Sequence, residues 1–189
     1  MIIEKLTSIQ NEIQQKIKDS RKLDNIPNII AVSKTFSIEH VIPLINHGHI
    51  HFGENKIQEA MDKWTDIKKE NKKINLHMIG KLQTNKVKYA VELFDYIHSL
   101  DTKKLAEKIS VEQIKKNKKI KIFIQVNIGN ELQKNGILIE NLSEFYNYCV
   151  EILKLNIIGL MCIPPKSKNS SIFLYDTKTT ASLFFCKSL

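Results

Sequence analysis

Lys34 directly follows the apolar run Ile29-Ile30-Ala31-Val32-Ser33. A lysine carried at the end of a buried strand is partly desolvated, which lowers its pKa and suits its amine to Schiff-base formation with an aldehyde. The plainer alternative is a solvated lysine at a strand end. Glu54-Asn55 after Gly53, and Gln83-Thr84-Asn85-Lys86 after Gly80, supply amide and carboxylate groups at two further strand ends. Such groups can converge on one small polar ligand. From local sequence alone, Asn55, Thr84 and Asn85 fit equally well as helix N-caps, which is the reading their types favour. Asn127, at the end of a fifth apolar run, has the same ambiguity.

His47, His49 and His51 alternate as metal ligands on one strand face would. No Cys or acidic residue completes the spacing and His47 belongs to a helix end, so they read as surface and strand-edge histidines, and no metal is expected. His77 and His98 lie inside apolar runs, where a hydrogen-bonded core imidazole is the expectation. Trp64 fits the apolar stripe of a helix. The lysine pairs 68–69, 72–73 and 103–104 and the cluster 115–121 fall on helix ends and loops, where they complement helix C-termini.

The elements that must position these groups alternate along the chain. Ile2, Leu6, Ile9, Ile13 and Ile17 have the spacing of an amphipathic helix. Six short apolar runs then follow, at Ile29–Val32, Ile50–Phe52, Leu76–Ile79, Tyr96–His98, Ile120–Ile128 and Ile157–Ile163, each separated from the next by a helical pattern. Continuous apolar runs describe parallel strands buried on both faces. Strand-then-helix repetition predicts an α/β fold, either doubly wound or a (β/α)8 TIM-like barrel, with the functional face at the carboxyl ends of the strands. Ser37 is placed to cap one helix, and Asp101 or Thr102 another.

Composition narrows the function. The chain has 189 residues, 42% hydrophobic and 26% charged, which describes one globular domain and excludes a disordered or collagen-like chain. The net charge of +9 comes from 29 basic residues of which Arg21 is the sole Arg. Base readout and bidentate phosphate clamps lean on Arg, so nucleic acid is not expected as a partner. Cys149, Cys162 and Cys186 show no C-x-x-C spacing and read as buried thiols of a reducing compartment. No stretch is long and apolar enough for a membrane span, and the expected location is cytoplasmic. Neither G-x-G-x-x-G nor a P-loop motif occurs.

Five segments in order, Ala31-Val32-Ser33-Lys34-Thr35, Phe52-Gly53-Glu54-Asn55-Lys56-Ile57-Gln58-Glu59-Ala60, His77-Met78-Ile79-Gly80-Lys81-Leu82-Gln83-Thr84-Asn85-Lys86, Val126-Asn127-Ile128 and Gly159-Leu160-Met161, resemble the pyridoxal phosphate homeostasis family of YggS and PROSC type. The resemblance implies a barrel like the N-terminal domain of alanine racemase, holding pyridoxal 5′-phosphate as a Schiff base. Lys34 matches the family's cofactor lysine, and Asn55 the Asn beside the cofactor ring. It further implies a carrier or buffer in intracellular cofactor homeostasis with no turnover, a monomer, and pyridoxal-phosphate-dependent apoenzymes as recipients. The alternatives are a racemase- or decarboxylase-like enzyme on the same barrel, or a non-functional remnant. Residues 1–165 carry the barrel, about six of eight strand-helix units, and 166–189 form a divergent C-terminal remnant. The family's later Ser-x-Gly-Met-Ser and Arg-x-Gly segments do not appear, which implies a truncated member whose first and sixth strands stand as apolar edges.

Overall fold

A computed structural model of the chain describes residues 2–20, 27–129, 131, 133–163 and 182–184. Arg21, Cys186 and most of the 166–189 segment lie outside the described residues. After the amphipathic helix α1 (Ile2–Ser20) the order is β1 (Ala31–Val32), α2 (Ile38–Asn46), β2 (His51–Glu54), α3 (Ile57–Glu70), β3 (Asn75–Met78), α4 (Val87–Leu93), β4 (Tyr96–Leu100), α5 (Lys103–Lys116), β5 (Lys121–Val126), α6 (Leu142–Asn147, continued by a π turn), β6 (Asn156–Cys162) and β7 (Ser182–Phe184). Every strand is parallel to the next, and the sheet runs β1 to β7 in chain order. Consecutive parallel strands joined by helices make the α/β arrangement of a TIM-like barrel.

The six expected units are present, and β7 is an addition to them. Its residues pair with β6 as Gly159↔Ser182, Leu160↔Leu183 and Met161↔Phe184. The sixth strand is therefore not an edge, contrary to the sequence expectation, and among the described residues the edges of the sheet are β1 and β7. An uncovered β6 would expose a row of backbone donors and acceptors, and a three-residue stretch of the C-terminal segment is enough to pair with it.

The register separates two faces. Val32, Gly53, His77 and Tyr96 are mutual partners across β1 to β4 and point to one side. Phe52, Leu76, Met78, Ile97 and Ile122 point to the other, toward the helices, and each is at most 1% exposed. Their burial contributes on the order of 2 kcal/mol apiece. Phe52 packs on Trp64 of α3 with ring centroids 4.9 Å apart. The first face is the interior of the barrel.

Local chemistry ends the helices. Thr102 caps α5 by accepting from Leu105 N–H at 3.3 Å, and Asn117 closes it in the left-handed conformation. Ser37 stands at the start of α2 without a side-chain cap bond, because its hydroxyl meets His40 Nδ1 at 3.1 Å instead. Lys118 donates to the carbonyls of Glu92 (2.9 Å) and Phe94 (3.0 Å). It thereby meets the C-terminal end of α4, as expected for that lysine cluster. No described helix is long and apolar enough to cross a membrane.

Candidate functional site at the carboxyl ends of the first strands

The turn after β1 is held from three sides. Ser33 N–H donates to Gly53 O at 3.0 Å, which continues the sheet pairing beyond Val32. Its hydroxyl donates to Glu54 Oε1 at 2.8 Å, and Lys63 of α3 donates both to Ser33 O and to Glu54 Oε1, each at 2.8 Å. Trp64 Nε1 donates to the same carboxylate oxygen at 3.0 Å. Ser33 and Glu54 are therefore on the helix-facing side, and Glu54 is fully buried there. This corrects the sequence expectation that Glu54 joins Asn55 in contacting a ligand. Its position at the end of β2 turns the carboxylate to α3, and Glu54 acts as the clasp that fixes the backbone before Lys34.

Lys34 lies in the turn two residues beyond Val32, and Asn55 in the bend that follows Glu54, so the two stand at the carboxyl ends of the adjacent strands β1 and β2. Lys34 is half-buried, and no hydrogen bond or ion pair ties its side chain among the described residues. Asn55 Oδ1 is buried with no hydrogen-bond partner. Asn55 does not cap α3, whose N-cap is Lys56, and Thr84 and Asn85 likewise provide no side-chain cap. The capping reading of these three residues is thus overturned. Gly80 touches the Asn55 turn so closely that a Cβ on it would lie 2.2 Å from Asn55 O. A glycine is required for the second and third strand ends to meet.

Asn127 has a different part. It accepts from Glu131 N–H at 3.3 Å and donates to the carbonyls of Glu131 (2.9 Å) and Lys134 (3.4 Å), so it folds the loop after β5 on itself.

Sequence reasoning missed a file of three imidazoles inside the barrel. His51 Nδ1 lies 3.0 Å from His77 Nε2, and His77 Nδ1 lies 2.9 Å from His98 Nε2. His77 stacks on Tyr96 and His98 on Phe123, at 4.2 and 4.5 Å between centroids. Burial, with the neighbouring His98 and His51 next in weight, drives His77 down to about 2, and burial lowers His98 to about 4. Both are neutral core imidazoles, as expected. Their cluster crosses three strands, so only the register reveals it. The alternation His47, His49, His51 does not form a unit: His47 ends α2, and His49 Nε2 bonds the carbonyl of His51 at 2.8 Å.

The residues present suit a small aldehyde-bearing cofactor: an amine without a partner among the described residues and an orphaned buried acceptor stand at the ends of two adjacent strands. Comparison with known proteins identifies the family. The model of the alanine racemase N-terminal domain matches residues 9–184. The chain belongs to this family. A pyridoxal phosphate homeostasis protein of Aquifex aeolicus is 36% identical over 166 residues, covering 88% of this chain and 72% of the relative. The structure of PipY from Synechococcus elongatus with pyridoxal phosphate bound superposes with a TM-score of 0.68 at 27% identity, covering 87% of this chain and 81% of PipY. Alanine racemase of Clostridium difficile shares the fold at a TM-score of 0.64 and 12% identity, over 86% of this chain and 43% of the enzyme.

Proposed function

We propose that this chain is a pyridoxal 5′-phosphate-binding protein of intracellular cofactor homeostasis, a carrier or buffer without turnover of its own. The observation that carries the reading is the placement of Lys34 and of the orphaned Asn55 oxygen at the carboxyl ends of the adjacent strands β1 and β2. The 36% identical relative named for pyridoxal phosphate homeostasis and PipY with the cofactor bound support it.

In this reading Lys34 would hold the cofactor through Nζ, and the cofactor would supply an aldehyde able to condense with that amine with loss of water. Asn55 Oδ1 would accept a hydrogen bond from a donor on the bound molecule, pairing an acceptor that the protein alone leaves buried and unmet. The Glu54–Ser33–Lys63 clasp keeps the Lys34 turn in one orientation. Gly80 presses on the Asn55 turn and keeps its backbone in place. We take residues 1–165 as the cofactor-binding unit, with Ser182–Phe184 joining its sheet from the segment that follows. A monomer in the cytoplasm that hands its cofactor to pyridoxal-phosphate-dependent apoenzymes completes the proposal. Free, buried Cys149 and Cys162 suit a reducing compartment.

The test is borohydride reduction of the protein with pyridoxal phosphate, followed by peptide mass mapping. A pyridoxyl adduct on Lys34, with no racemisation of alanine by the same preparation, is expected. An adduct on other lysines but not Lys34 refutes the site, and racemisation at enzymic rates refutes the carrier role in favour of an enzyme.

A further inference from the structure

The turn that carries Lys34 is strained at the residue beside it. Phe36 N–H donates to Ser33 O at 3.2 Å, which closes a turn with Lys34 in its second position and Thr35 in its third. Thr35 has a φ of 67°, whereas Lys34 is not among the residues of positive φ. A left-handed third position after an ordinary second one is the pattern of a type II turn, which asks for Gly or Asn there. A β-branched residue in that region is a genuine outlier, because its Cβ crowds the neighbouring carbonyl oxygen. Asn117 and Lys154, the other left-handed non-glycine residues among those described, are unbranched at Cβ, and each lies just past a helical segment, where this conformation is ordinary. Thr35 ends no helix.

Nothing about the Thr35 side chain accounts for the strain. It is exposed, and neither its N–H nor its hydroxyl meets a partner among the described residues. The constraint comes from the residue before Lys34. Ser33 is 4% exposed, its N–H is bonded to Gly53 O and its hydroxyl to Glu54. Its carbonyl accepts from both Phe36 N–H and Lys63 Nζ, at 3.2 and 2.8 Å. Rotation of the Lys34–Thr35 peptide would convert the turn to type I, which gives the third position an ordinary φ. The clasp holds the higher-energy form instead. Strain of this kind persists only where the surroundings over-determine it, and it gathers at functional positions.

We propose that Thr35 is a positioning residue: its left-handed backbone, enforced by the Ser33 clasp, fixes the orientation of the Lys34–Thr35 peptide and with it the presentation of the Lys34 amine. The use of that presentation toward a cofactor aldehyde rests on the cofactor reading, whereas the strain and the setting of Lys34 belong to the chain and are measured without cofactor.

The experiment compares Thr35→Asn and Thr35→Pro with the unsubstituted chain, all at full length. Asn tolerates the left-handed region, so Thr35→Asn is expected to raise the urea midpoint at constant slope and to leave the labelling of Lys34 unchanged. Proline holds φ at about −65° and forbids the left-handed turn. It allows Lys34 the extended backbone that a type II turn already gives it, and the N–H it removes has no partner among the described residues. Lys34 is followed by peptide mass mapping in two ways: trace acetylation by acetic anhydride without cofactor, and borohydride trapping with pyridoxal phosphate. Thr35→Pro is expected to shift the acetylation of Lys34 relative to the other lysines and to cut its trapping by about tenfold, with cooperative unfolding retained. A midpoint that does not rise in Thr35→Asn overturns the proposal. Acetylation unchanged in folded Thr35→Pro, or trapping undiminished there while the unsubstituted chain traps, does the same. If Thr35→Pro does not fold, Thr35→Asn decides alone: a raised midpoint with Lys34 labelled as before supports the proposal, and any other result overturns it. An unsubstituted chain that traps no pyridoxal phosphate at Lys34, while Thr35→Pro still shifts the acetylation, refutes the cofactor reading and keeps the positioning role.

Discussion

Replacing Glu54 tests whether its carboxylate is the clasp of the Lys34 turn. One oxygen receives the Ser33 hydroxyl, the Lys63 ammonium and the Trp64 indole at 2.8, 2.8 and 3.0 Å. The Glu54 and Lys63 side chains are 0% and 11% exposed, so water hardly substitutes for a lost partner. Glu54→Ala strands a buried ammonium, an effect of about 3–5 kcal/mol, and two neutral donors at about 1–3 kcal/mol each; the losses overlap and sum to about 4–6 kcal/mol. That is a large share of the roughly 5–15 kcal/mol that holds a domain together. Glu54→Gln keeps an acceptor for Ser33 and Trp64 but loses the ionic partner of Lys63, for a loss of about 2 kcal/mol. Adding Lys63→Met to Glu54→Gln removes the stranded charge and is expected to recover part of that loss. Urea denaturation reads all three as shifts of midpoint at constant slope. A loss below about 1 kcal/mol for Glu54→Ala, or equal losses for Ala and Gln, refutes the clasp.

Lys34→Ala is expected to abolish borohydride-trapped pyridoxal phosphate and leave the urea midpoint nearly unchanged, since β1 packs through Ala31 and the Ser33 clasp; a midpoint collapse contradicts this. Asn55→Ala is expected to weaken cofactor retention by about 0.5–1.5 kcal/mol without preventing attachment, measured by titration of pyridoxal phosphate, and equal affinities would show that the oxygen makes no contact with it. Gly80→Ala forces the Asn55 turn away by its Cβ and is expected to cost about 1–3 kcal/mol in stability together with a loss of cofactor affinity, the two read on one preparation. For pH, the folded values of His77 and His98 lie below the ordinary 6.5, so the unfolded chain binds more protons below neutrality. Stability is complete above about pH 7 and falls as pH drops toward 4, by about 1–2 kcal/mol per histidine at pH 5. His77→Phe is expected to flatten that slope in pH-dependent urea melts, and an unchanged slope would place the titration elsewhere.

That Lys34 and Asn55 stand at strand ends was legible in the sequence because both follow apolar runs, whereas the cofactor roles proposed for them came from the family resemblance, since local sequence favoured a helix cap for Asn55. The fold was legible from the same runs: Ile29–Val32 is continuous, and Ile120–Val126 is broken only by Lys121 and Gln125. What stayed hidden depends on register. Glu54 sits beside Asn55 in the chain, but its carboxylate turns to Lys63 and Trp64 of α3, and composition alone cannot assign that face. The His51–His77–His98 file joins residues 26 and 21 positions apart, a proximity that exists only once three strands are aligned. β7 escaped because three residues carry too little period to separate a strand from the end of a helix.

The chain-order topology also bears on how the sheet assembles and comes apart. Each strand pairs with the next one along the chain, at separations of about 20 to 35 residues. Modest loop closures of this kind let the sheet grow by successive addition from its long middle strands, β5 and β6. β1, with two residues and a neighbour on one side only among the described residues, is then the last to dock and the first to fray. Amides around Val32 should exchange with deuterium through a small local opening well below the global unfolding free energy, while those of β5 require global unfolding. The lysine at the end of β1 thus stands on the most readily released strand of the sheet, and an opening confined to that strand would bring its amine to solvent while the rest of the barrel stays folded.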